Sequence, residues 1–294
     1  MRTQTFGVEI EMTGITRQAA AEVAAEYFGT TAVYVGGAYK KFTVSDGTGR
    51  QWSFVYDSSI RVESKNGRQA EQVEMVTPIL HYDDIATLQD LIRRLRKAGG
   101  ARCNDTTGIH IHIGAEKHTP KSLRNLVNIF TAKQDIIFKA LAIDTRRLNY
   151  CKKLESSLSE SLNKKHPNSM DKVADIWYEG YCGDRNSHYN SSRYHAVNLH
   201  SVFTHGTIEF RCFNSTLHAG KVKTYIQFCL AISHQALIQK SSSAKVTVSE
   251  NEKYTFRCWL LRMGLIGDEF KTCRKFLLEN LDGDIAWRHG RQSA

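Results

Sequence analysis

The side chains best suited to chemistry lie in short alternating runs, and the clearest is Gly108-Ile109-His110-Ile111-His112-Ile113-Gly114. Read as a β-strand, it sends the isoleucines to one face and His110 and His112 to the other. Branched residues at alternate positions favour a strand, and the flanking glycines bound it. Two histidines on one face lie roughly 6.6–7 Å apart, close enough to reach one ligand together. Alone, a His-x-His pair is more often structural than functional. Three further segments repeat the construction and raise its weight. Phe6–Met12 sets Glu9 and Glu11 against Phe6, Val8, Ile10 and Met12. Gln72–Val76 sets Glu74 against Val73 and Met75, and Thr207–Phe213 sets Glu209 and Arg211 against Ile208, Phe210 and Cys212.

Two carboxylates side by side on one strand face repel each other. A divalent cation is the usual way to offset that repulsion where both face a shared cleft. A merely solvated face would also carry Thr, Lys and Ser. Carboxylates with imidazole suit magnesium or manganese, and arginine suits a phosphate. A metal-dependent hydrolase could use the same His-x-His and carboxylates to hold an activated water. A zinc hydrolase, however, usually needs a third histidine or a further cluster, and it leaves the Glu9–Glu11 strand without a role. A third reading, a non-catalytic nucleic-acid-binding protein, comes from the net charge of +10. Basic clusters at Arg93–Lys97, Arg146-Arg147, Lys152-Lys153 and Lys164-Lys165 would attract phosphates or acidic partners. No helix-turn-helix, zinc-finger or RNP-type motif supports sequence-specific recognition of nucleic acid.

The 294 residues suffice for one large domain or two small ones, with an ordinary globular balance of 41% apolar and 24% charged residues. No apolar run approaches the roughly 20 residues that span a bilayer. Acidic residues stand where a signal peptide would be apolar, so a cytoplasmic protein is expected. Seven cysteines without a Cys-x-x-Cys pair fit reduced thiols. Helices are expected over Thr16–Phe28, capped by Thr13 or Thr16 and stopped by Gly29, and over Asp83–Lys97, closed by Gly99-Gly100. One or two more run from Pro120 to Ile143, followed by Lys221–Gln239 and two near Glu250–Met263 and Asp268–Leu281. Asp46-Gly47 marks a hairpin. Tyr194–Ser201 reads as a strand carrying Asn198. The polar stretch from Lys152 to Ser192 reads as an irregular loop, with Tyr178–Ser192 as a candidate lid.

In order and spacing, these motifs resemble the amidoligases of the glutamine synthetase and glutamate–cysteine ligase superfamily. The matching residues are the opening Phe6–Met12, the Glu-x-x-Thr-Pro of Glu74–Pro78, Gly108–His112, and Arg193, Asn198 and Glu209–Arg211. The resemblance covers residues 4–230 or so, leaving 143–192 and the C-terminal 50 residues unmatched. It implies an α+β fold with a curved, mainly antiparallel sheet, a charged concave face and helices on the apolar back, like the glutamine synthetase catalytic domain. Residues 1–240 would form the catalytic domain, with 143–192 as an irregular or helical insert, and 241–294 a helical extension packed on it. The implied activity is ATP-dependent, ADP-forming joining of a carboxylate to an amine through an acyl phosphate, with two or more Mg2+ or Mn2+ ions. Glu9, Glu11 and Glu74 would hold one metal subsite, and His110 and Glu209 the other. His112, Arg193 and Arg211 would meet the phosphates, while Asn198 and Asp57 would contact ATP or substrate; Arg185, in the unmatched stretch, is a further candidate for that contact. The chain has no Gly-x-x-x-x-Gly-Lys loop, so phosphates would be held by metals and side chains. Amino acids, peptides and modified bases all remain open as the acid and the amine.

Overall fold

Alternation of apolar and charged residues becomes an α+β architecture of antiparallel strands and helices in a computed structural model that describes residues 1–64, 67, 69–98 and 100–288. Gly99, half of the expected helix stop, lies outside these residues. The chain packs as two compact units: Arg2–His112 with Phe213–Lys223, and Ile113–Cys212 with Thr224–Ala294 and Met1.

The first unit holds β1 (Phe6–Met12), β2 (Ala32–Gly36), β3 (Lys41–Ser45), β4 (Gln51–Val55), β5 (Val73–Val76) and the start of β6 (Gly108–Gly114). They lie side by side in the order β2-β3-β4-β5-β1-β6, and neighbours from β2 through to β1 are antiparallel. The register sets Glu11 directly opposite Glu74 and Ile10 opposite Met75. Phe6, Val8, Ile10, Met12, Val73, Met75, Ile109 and Ile111 are all buried, as the alternation requires.

Helix α1 (Arg17–Phe28) packs on β2, β3 and β4 and against α2 (Ile85–Ala98). Of the two threonines that could cap α1, it is Thr16 whose hydroxyl accepts the Ala19 N–H at 3.1 Å, and Gly29 ends the helix in the left-handed region. Thr13 instead pairs through its backbone with Arg102 and accepts the Glu63 N–H. Gly14, which follows, has φ +78; a Cβ there would stand 2.7 Å from both the Gly100 carbonyl and Arg102 Nε.

The second unit contains α3 (Pro120–Ala140), α4 (Ser156–Lys165), α5 (Met170–Trp177), β7 (Val197–Asn198), α6 (His200–His205), most of β8 (Thr207–Asn214) and of α7 (Ala219–Ile238), α8 (Glu252–Arg262) and α9 (Lys271–Leu278). Two expectations change here. The stretch from Lys152 to Ser192 is not one irregular loop, because α4 and α5 occupy much of it; Ser169 caps α5 through the Lys172 N–H. The strand expected over Tyr194–Ser201 shrinks to two residues. Asn198 Oδ1 accepts the His200 N–H at 2.8 Å, a local side-chain turn that leads the chain through Leu199 into α6, which Gly206 then ends. Asn198 is paired across β7–β8 with Glu209. No helix among the described residues is long and apolar enough to cross a membrane.

His118, 7% exposed, is held between the hydroxyls of Ser122 and Ser233 at 3.0 and 2.9 Å. Burial pulls its pKa down from the ordinary 6.5 to about 4. The neutral ring thus contributes stability that is complete above pH 6.5 and lost as pH falls from 6.5 towards 4, at up to about 1.4 kcal/mol per pH unit. Urea unfolding at pH 7 and pH 4.5 should show that loss in the wild type and a smaller one in H118N. Equal losses in the two proteins would remove His118 as the cause.

Candidate metal centre

Three strands of the first unit bring the expected carboxylates and histidines together. β1 supplies Glu9 and Glu11, β5 supplies Glu74, and β6 supplies His110 and His112. One donor atom from each of Glu11, Glu74 and His110 lies within 4.8 Å of the others. Glu11 and His110 are each 5% exposed and Glu74 is half-buried. Strand alternation therefore selects a face, yet that face is lined rather than bathed in water.

The positions of these groups are tightly set. His110 Nδ1 faces Glu9 Oε2 at 2.9 Å, and its Nε2 lies 3.7 Å from Glu11 Oε1. With the proton on Nδ1 and donated to Glu9, Nε2 directs its lone pair towards Glu11. That is the arrangement in which a carboxylate orients an imidazole for a cation. Glu11 Oε2 accepts the Gly108 N–H at 2.6 Å, which fixes the carboxylate against the first residue of β6. The Glu11 carbonyl accepts the Ser215 hydroxyl at 2.6 Å. Ser215 was not singled out from the sequence, and no local pattern marks a contact 204 residues away.

His112 Nε2 lies 3.4 Å from Glu9 Oε1, so Glu9 stands between both histidines of the His-x-His strand. Burial alone would raise the Glu9 pKa, but His112 and His110 outweigh it and hold the carboxyl well below the usual carboxylate range. Glu9 is accordingly ionised at neutral pH. Asp57 accepts the Ser59 N–H at 2.7 Å and closes its own turn.

The remaining candidates lie in the second unit. The Glu209 carboxylate is engaged on both oxygens: Oε2 accepts Asn198 Nδ2 at 2.6 Å and Oε1 pairs with Arg211 Nη1. Asn198, Glu209 and Arg211 are 1%, 3% and 5% exposed, so this is a buried ion pair with an amide holding its acid. Arg193 donates to the His188 carbonyl at 2.8 Å and lies over the rings of Tyr189 and Tyr194. Arg185 pairs with Asp175 at 2.7 Å and lies over the Tyr178 ring.

A sequence model of one protein family, described as putative amidoligase enzyme, matches residues 2–233. Comparison with curated protein sequences gives no match.

Proposed function

Because this chain belongs to the amidoligase family, we propose that it is an ATP-dependent ligase joining a carboxylate to an amine, with Glu11, Glu74 and His110 at the heart of its divalent-metal centre. The observation that carries this reading is the gathering of three donors from three strands within 4.8 Å. Ligands on opposite sides of one magnesium ion stand about 4.2 Å apart, twice a 2.0–2.1 Å bond. Small side-chain rotations would therefore suffice for the donors to share an ion. Two carboxylates and one imidazole suit Mg2+ or Mn2+, and the opposed Glu11 and Glu74 have reason to want a cation between them.

Such ions, when bound, neutralise phosphate oxygens during phosphoryl transfer. The chain's own groups act by position and charge. Glu9 orients His110, and the Gly108 N–H holds Glu11. By the family resemblance, Glu9 and Glu209 complete the ligand set of two ions, while Arg211, Arg193 and His112 meet the phosphates. Asn198, Arg185 and Asp57 would contact ATP or substrate. On this reading the acid attacks the γ-phosphate, ADP leaves, and the amine displaces phosphate from the acyl phosphate. The excess of basic residues suits a polyanionic nucleotide. The same reading implies a catalytic fold like that of glutamine synthetase.

The test is ADP release across a panel of amino acids, peptides and polyamines, with Mg2+, Mn2+ or EDTA, followed by mass spectrometry. An acid and an amine that together stimulate ADP release only with metal, giving a product lighter than their sum by one water, are expected. Cleavage of a panel peptide without ATP would overturn the ligase in favour of a hydrolase, and turnover undiminished in EDTA would overturn the metal centre.

A further inference from the structure

The second unit contains a cavity of about 300 Å3 bounded by α4 and the end of α5, at the small end of the range for ligand sites. Its floor includes the buried side chains of Leu154, Ile176 and Trp177. The polar atoms of its three rings are spent inside the protein. Trp177 Nε1 donates to Ser192 Oγ at 3.1 Å, and His195 Nδ1 donates to the Ser192 carbonyl at 2.9 Å. His195 Nε2 is then left to accept the Tyr181 hydroxyl at 3.2 Å. A single buried serine thereby anchors both Trp177 and His195, and what the rings offer an occupant is apolar and π surface.

The charge of the lining has one sign. Burial lowers the His195 pKa, so that ring is neutral at pH 7. The formal charges of the lining are the carboxylates of Glu155 and Glu179, both exposed at the rim; among the described residues no lysine or arginine lines the cavity, and Lys152 acts on His195 from beyond it. Lys165 pairs with Glu179 at 2.8 Å from outside, between two side chains that are each at least half exposed. In a chain of net charge +10, a hollow whose own charged lining is acidic is a local reversal of sign, which Lys165 offsets in part at Glu179. An anion would be repelled there, and a neutral guest would leave the carboxylates unused.

We infer that this cavity binds a small organic ammonium ion, its charge at Glu155 and Glu179 and its carbon frame against Trp177 and Tyr181. Aromatic surface beside carboxylates is the chemistry that selects such cations. The binding claim stands by itself. That the occupant is the amine substrate rests on the ligase reading above.

Phenethylammonium serves as the probe, titrated into the full chain without ATP or metal and followed by tryptophan fluorescence and calorimetry. Phenethyl alcohol and phenylacetate share its frame and differ in charge. The ammonium should bind at least about tenfold more tightly than either, and E155Q/E179Q should cost it about tenfold without moving the melting curve, since both residues are exposed. Equal affinity for the alcohol, or undiminished binding by the double variant, would overturn the site. Filling the hollow with L158W should abolish binding; saturable binding to a folded L158W protein would place the probe elsewhere and also overturn it. ADP release is a separate readout. Amines that bind here yet never stimulate it would remove the substrate assignment and leave the binding site standing. Loss of all ADP release would instead count against the ligase reading.

Discussion

Replacing Glu11 by Gln is expected to lower metal-dependent ADP release by roughly a thousandfold or more while leaving the fold intact, since stabilising charge on transferring phosphoryl groups contributes several kcal/mol. The substitution is nearly isosteric. The Gln carbonyl can still accept the Gly108 N–H that Glu11 Oε2 holds at 2.6 Å, so the link between β1 and β6 survives. What disappears is a negative charge opposite Glu74. In EDTA the variant should melt no lower than the wild type, because a repulsion has been relieved. On adding Mn2+ the wild type should gain thermal stability by mass action and E11Q should not. Wild-type turnover in E11Q would end the metal assignment of Glu11, and a variant unable to fold would show that its charge is structural.

The second large effect is on stability. R211M removes the cation that partners Glu209 and leaves a 3%-exposed carboxylate, which Asn198 still donates to, without that charge beside it. Breaking one side of a buried ion pair costs about 3–5 kcal/mol, whereas replacing both partners is often close to neutral. Urea unfolding should therefore show a large loss for R211M and recovery of most of it in E209Q/R211M. A loss below about 1 kcal/mol in the single variant would mean that water or another group takes Arg211's place. Activity would be absent from both variants on the proposed reading, so stability is the informative axis.

How much of this was legible depends on the range of the interactions. β1, β5, β6 and β8 follow from a period of two that any short window displays. The helices α1, α2 and α3 follow from caps and apolar stripes. α6 was missed because Val202, Phe203 and Thr204 favour a strand, and the decision lay with the Asn198 turn just before it and Gly206 at its end. α4 was missed because Leu158 and Leu162 are its main apolar signal within a run of Ser, Asn and Lys. Depth was not legible either: alternation places Glu11 and His110 on the charged face, but nothing local announces that they are 5% exposed. The cavity beside Trp177 depends on Ser192 gripping two rings from different segments, and no spacing encodes that.

Gly14 carries a consequence for how this protein can change over time. The residue directly after the Glu9–Glu11 strand and Thr13 sits where φ is +78 and where a methyl group would collide with the Gly100 carbonyl backbone. Backbone cannot swing aside as a side-chain tip can, and a left-handed φ strains other residues further. The end of β1 is thus pinned between Gly14 and the Thr13–Arg102 pairing, while Glu11 is held by Gly108 and Ser215. Mutational drift meets a wall along this strand. The exposed turns between Glu179 and Tyr189 lack that steric wall. Gly180 and Gly183 share the left-handed φ, at +85 and +105, but a Cβ there would meet nothing within 4 Å, and the other positions of the turns are open to change. New specificity in such a chain would be acquired in those turns, with the donors of β1 handed on unaltered.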